Sequence, residues 1–317
     1  MQEVASHEVD AQQLAQALED IKRRTFGRWH TMQYGGMRLD DLGVMRDELL
    51  DHAAARFASP PELDTAPLEV LRTAAECALG LLSVGCFPDG DQEIRFPLID
   101  ERLSSENTAF SDLVTEAPTA PHWVETFELC LISGLVWEWK RVIGPLLRED
   151  YAPAIRSGVP YSPFTSVSQP ADLAQMDALA GYLALSPGHR PSDWPTVALC
   201  MPNADERAEA GRRLDAAGPL SADQSLLRCL LNDDQHEFEE ALATRLNEHR
   251  DGLGDAPAPR TMLPLGALAL AALAVQVHGW HLDVHCAYLP PALLGSTDAL
   301  PRAAAAGENN LGGWVAH

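Results

Sequence analysis

Five residues that bind metals or move protons fall within nine positions: His278, His281, Asp283, His285 and Cys286. Imidazole, carboxylate and thiolate are the side chains that hold zinc, and zinc so held activates water for hydrolysis. On a strand from Trp280 to Cys286 the side chains alternate between faces, so His281, Asp283 and His285 share one. His278, at the end of the preceding helix, would close the set. The same alternation sends Trp280, Leu282 and Val284 to the opposite face. In that second reading Gly279 turns the chain, the apolar residues pack inward and the polar ones meet water. The packing reading is preferred, and neither a metal nor a cofactor is expected.

Elsewhere the chemistry available is that of carboxylates. Asp233, Asp234, Glu237, Glu239 and Glu240 form one acidic run. Carboxylates beside a helix N-terminus complement its dipole, and that role is preferred over a patch for a basic partner. Asp89, Asp91, Glu93, Asp100, Glu101 and Glu106 form a second concentration, around an extended segment instead of along a helix. Loops carry binding more often than helix faces do. Asp89, Asp91, Glu93, Asp100 and Glu101 are therefore the expected partner-binding residues; the alternative is a solvated loop. No catalytic residue is assigned. There is no P-loop, G-x-G-x-x-G, G-x-S-x-G or H-E-x-x-H sequence. The H-x-E with a following P-C-x-x-C of zinc deaminases is also missing.

Composition points the same way. The 317 residues include 23 Lys and Arg against 46 Asp and Glu, a net charge of −23. Such a chain repels nucleic-acid phosphates and anionic membrane surfaces, and it attracts a basic partner. Solubility alone also accounts for the charge. Hydrophobic residues at 46% and charged residues at 22% are ordinary for a globular protein. Lys22 and Lys140 are the only lysines in an Ala-rich, Arg-rich chain, as GC-rich bacterial coding DNA produces. The six cysteines form no C-x-x-C pair and mostly sit in apolar runs, as free thiols of a reducing cytoplasm do. Met1 to Asp10 has neither a basic nor an apolar stretch, so no signal peptide is expected. The longest apolar stretch, Leu263 to Val275, is shorter than the roughly 20 residues of a spanning helix.

The elements that position these residues read as helices. Apolar spacing predicts them over Asp10–Phe26, Asp40–Phe57, Thr65–Gly85 and His122–Val142. Five more follow: Ala171–Leu185, Asn203–Ala217, Ser221–Leu231, Gln235–Arg250 and Leu263–His278. Asp10 with Gln13, Asn203 with Glu206, and Ser221 with Gln224 have capping-box spacing. Gly218 and Gly279 sit where helices end. His122–Val142 is apolar most of the way round, with Trp123, Phe127, Leu131, Leu135 and Val142 on one stripe, so it is the central core helix. In Gly90–Asp100, Ile94, Phe96 and Leu98 alternate with Glu93, Arg95 and Pro97. That is a short extended segment, which Pro97 confines to a sheet edge. The expected fold is mainly α, an irregular helical array with helical hairpins and at most one or two short strands. No repeat period holds. An N-terminal helical subdomain (1–157) is expected, then a Pro/Ser-rich connection (158–170) and a C-terminal helical subdomain (171–302). A disordered tail (303–317) closes the chain.

Several strings of packing residues also resemble a known family. They are Arg28-Trp29-His30, Leu71-Arg72-Thr73-Ala74-Ala75-Glu76-Cys77, Arg95-Phe96-Pro97-Leu98-Ile99-Asp100, Ile132-Ser133-Gly134-Leu135-Val136-Trp137-Glu138-Trp139 and Leu147-Arg148-Glu149-Asp150-Tyr151. Leu263-Pro264-Leu265-Gly266-Ala267-Leu268-Ala269, His278-Gly279-Trp280 and Tyr288-Leu289-Pro290 complete the set. From about Phe26 to Leu294 the chain resembles the immunity 49 family of bacterial polymorphic-toxin systems. The resemblance implies a protein that neutralises a cognate toxin domain by direct contact. It carries over no catalytic residue and no toxin contact. Two other functions are kept open: a helical scaffold or adaptor without a toxin, and a metal-dependent hydrolase using His278, His281 and His285.

Overall fold

Several helices in this chain start where a short polar side chain meets unpaired backbone amides. The computed structural model describes residues 2–36, 38–58, 66–88, 92–105, 116–138, 155–156, 167–184 and 198–310. Asp10 accepts from the amides of Gln12 and Gln13 and opens α1, Ala11–Leu18. The single helix predicted over Asp10–Phe26 is two. Asp20 accepts from the Arg23 amide and starts α2, Ile21–Gly35. A second capping aspartate inside the run offers the backbone an alternative to continuing the first helix. α3, Leu39–Ala58, buries the predicted stripe of Leu42, Met45, Leu49 and Ala53 and packs on α4, Ala66–Cys86.

The central helix is shorter than predicted. α5 spans Ala120–Ile132, Gly134 takes φ 74°, and Leu135–Trp137 form a 3-10 turn. Glycine adopts that left-handed conformation without steric penalty, which ends the helix. Trp123 stacks on Phe127 with ring centroids 5.7 Å apart, and both are fully buried. Val142 and Trp139 lie outside the described residues.

The second half is an array of packed helices: α6 (Pro170–Ala180), α7 (Ala204–Ala216), α8 (Ala222–Leu231), α9 (Gln235–Asp251) and α10 (Leu265–Gln276). Two of the three predicted capping boxes are reciprocal, while Asp10 caps α1 by accepting from the Gln12 and Gln13 amides. Asn203 and Glu206 exchange bonds of 2.8 and 3.0 Å, Ser221 and Gln224 of 2.8 and 3.2 Å. Gly218 and Gly279 both take positive φ. A 3-10 turn, Pro259–Met262, precedes α10, which is buried from Ala267 to Gln276. Pro259–Gln276 is apolar and long enough to cross a membrane by composition, but most of it is inside the protein, the placement of a core helix. Two short helices follow, α11 (Pro291–Leu294) and α12 (Ala299–Asn310). α12 runs through the first part of the expected tail.

The fold is mainly α. Among the described residues, strand is confined to two ribbons. β2 (Glu93–Phe96) pairs antiparallel with β3 (Glu101–Ser104), and β1 (Gln2–Glu3) pairs parallel with β4 (Val284–His285). Pro97 does not continue β2. It opens the 3-10 turn Pro97–Ile99 that leads into β3. α5 packs against α4, α6 and α10. One buried cluster includes residues on both sides of the expected connection, of which 158–166 lie outside the described residues.

Candidate functional site

The β2–β3 ribbon carries three of the expected partner-binding residues, Glu93, Asp100 and Glu101, and two helices seat it. Ile94 fills the space left by Gly80 of α4: a Cβ there would stand 2.8 Å from Ile94 Cδ1. Thr73 Oγ1, also on α4, accepts from the Leu98 amide at 3.1 Å. Trp29 of α2 donates from Nε1 to the Arg102 carbonyl at 3.1 Å. Ile94, Phe96, Leu98 and Leu103 are buried in consequence, and Glu93 and Arg95 face water.

That outer face is mixed in charge. The Glu93 carboxylate lies 2.6 Å from Arg95 Nε and 3.5 Å from Arg102 Nη1. Asp100 is exposed, in a left-handed conformation (φ 55°), and its amide donates to the Pro97 carbonyl. Glu101 is half-buried. Asp89, Asp91 and Glu106 lie outside the described residues. Glu93, Asp100 and Glu101 are thus brought to one ribbon, with two arginines interleaved.

The histidine cluster is taken apart by the fold. His278 Nδ1 lies 2.7 Å from Asp233 Oδ1, and its Nε2 lies 2.9 Å from the Tyr182 hydroxyl. A carboxylate accepts only, so Nδ1 donates to it and Nε2 accepts from the tyrosine. Burial pushes the imidazole pKa down, against the opposing pull of Asp233, and pushes the Tyr182 phenol up. Both ring nitrogens are therefore occupied. His281, Asp283 and His285 are exposed, Val284 is buried and Trp280 and Leu282 are partly so, as the packing reading requires. The stretch works through its backbone: the Asp283 and His285 carbonyls accept from Gln2 and Val4, and the Asp283 amide donates to Glu239. Burial raises the Cys286 thiol pKa, which disfavours the thiolate a metal needs. Among the described residues no three His, Cys, Asp or Glu side chains gather as metal ligands.

The acidic run at the start of α9 is structural in several members. Asp234 caps the helix through the Glu237 amide, and Asp233 (φ 59°) joins His278 to Arg207.

A surface on α2 escaped the sequence reading. Phe26 and Tyr34 are exposed there, with His30 between them. Three aromatic residues at four-residue spacing were the available signal. Beside them an open cleft of about 330 Å³ is lined by Arg24, Arg28, Thr31, Met32, Asp41 and Glu48.

In comparison with known families, the model of immunity protein 49 matches residues 59–293, most of the chain. No curated protein and no solved structure matches.

Proposed function

The chain belongs to the immunity protein 49 family, and on that premise we propose that it binds a cognate bacterial toxin domain directly and neutralises it. The family match over 59–293 is the observation that carries this reading. An inhibitor has to cover an active site or hold an inactive conformation, which asks for surface complementarity and a rigid scaffold instead of reacting groups. A core organised around α5 and α10 supplies such a scaffold. We place the protein in the cytoplasm of the producing cell, where it meets incoming toxin. The net charge of −23 favours a toxin of net positive charge.

The test is protection. Cells expressing the toxin domain encoded beside this gene should survive only when this chain is co-expressed, and the two should co-purify. Raised salt should slow their association more than it speeds dissociation, because screening weakens long-range steering first. Protection without binding would point to repair of the damage and overturn direct neutralisation. Neither protection nor binding would leave the scaffold reading.

A further inference from the structure

α2 departs from the rest of the chain in charge. Ile21–Gly35 carries Lys22, Arg23, Arg24 and Arg28 and no acidic residue, in a protein of net charge −23. Arg24 donates to the Ala17 carbonyl, and Arg28 holds Glu48 through two bonds of 2.8 and 2.5 Å. Lys22 and Arg23 are exposed and make no ion pair among the described residues.

The helix also departs in what it exposes. Ile21, Thr25, Trp29 and Met32 form its buried side. On the outer side Phe26, His30 and Tyr34 follow one another at four-residue spacing, a single row on a helix. Phe26 is 46% exposed and Tyr34 71%. Ring centroids are 6.3 Å apart for Phe26–His30 and 4.8 Å for His30–Tyr34. Val44 of α3, 45% exposed, lies one helical turn from Asp41 and Glu48, which line the cleft beside α2. Three of the four large hydrophobic residues exposed among the described residues therefore lie on α2 or beside its cleft. A gathered apolar patch rimmed by charge marks an interaction site, and aromatic residues with arginine are what interface centres are enriched in.

We propose that this outer face of α2 is the seat of the toxin domain, and that the toxin surface it takes is acidic around an apolar centre. The proposal rests on the family reading above and adds the surface to it. Charge complementarity selects the occupant: Arg28 is taken up by Glu48, but Lys22 and Arg23 are exposed cations with no ion pair among the described residues, and they suit acidic groups at contact range, while the protein's net field acts on the toxin's total charge at longer range. A second copy of this chain is disfavoured because two chains of net charge −23 repel each other at long range.

The probe is the toxin domain encoded beside this gene, with the full chain as its partner. Two variants are made, Phe26→Ala with Tyr34→Ala, and Lys22→Glu with Arg23→Glu. All four side chains are exposed, and circular dichroism and thermal melting check that the variants fold. Each variant is expected to raise Kd at least ~10-fold, mainly through faster dissociation, and to lose protection in cells. Unchanged affinity in both variants overturns the proposal while wild-type protection upholds the family reading. So does a loss confined to Glu93→Gln with Glu101→Gln, which would move the contact to the β2–β3 ribbon. Tighter binding by the charge-reversed variant would show a basic contact and overturn the stated chemistry. A wild-type chain that neither binds nor protects overturns the family reading itself, and this proposal with it.

Discussion

Glu128 sits on α5 with its side chain buried in the core. Burial raises its pKa well above the usual carboxylate range, and the charges of Asp223 and Glu125 push it further up. An acid whose folded pKa exceeds its unfolded value binds protons more readily folded. Its cost is full above the folded pKa and is relieved as pH falls through that value toward the unfolded one, about 4.3. Glu128→Gln keeps the shape and removes the ionisable group. The variant should be more stable than wild type at pH 8, by about 1–3 kcal/mol, and the gap should close as pH falls toward 4.5. Denaturant melts of both proteins from pH 8 to pH 4.5 measure it; a gap that does not change with pH refutes the burial argument. Its place in a helix apolar most of the way round was legible in the sequence, but that the elements packed on α5 cover its carboxyl was not.

At the scale of elements, the ribbon shows how much depends on a single hydrogen atom. Gly80 lies in the middle of α4, where glycine is a poor helix former, and it is there because Ile94 of β2 occupies the place of a side chain. Gly80→Ala should gain helix propensity yet lose stability overall, by about 1–3 kcal/mol, from overpacking. Ile94→Val shortens the residue at the closest contact, so adding it to Gly80→Ala should recover part of the loss. Thermal or urea unfolding of the two single variants and the double variant gives the coupling. An additive result would mean that Gly80 and Ile94 do not compete for the same space. The alternation of Ile94, Phe96 and Leu98 with polar residues was legible in the sequence, and all three are buried. The partner strand β3 was not, because its residues show their role only once Arg102 meets Trp29 and Leu103 meets the core.

For the whole molecule, the question is whether the histidine cluster makes this a metalloprotein. Tyr182 and Asp233 come from the ends of α6 and α8 and occupy both nitrogens of His278, while His281 and His285 point to water. The purified protein should therefore contain well under one zinc per chain. A chelator should leave its melting temperature unchanged, since a metal bound only by the native state would raise it. One zinc per chain, lost on His281→Ala, would return the hydrolase reading.

The sequence by itself determined the local structure: mainly helical, with several helix ends marked by capping side chains and glycines. Capping is an interaction within a turn, so Asn203 with Glu206 and Ser221 with Gln224 could be paired without any tertiary knowledge. It also determined the family, because the matched residues run through most of the chain. Tertiary structure alone decided which charges are engaged. Arg102 reaches Glu93 and His278 reaches Asp233 across turns and helices, and no spacing rule records such distances. It also decided which aromatic residues stay outside. Trp29 and Tyr34 share α2 and look alike in composition, yet one is buried against the ribbon and the other is 71% exposed. Helical periodicity places each residue on a face, but only the packing of neighbouring elements says which face is covered.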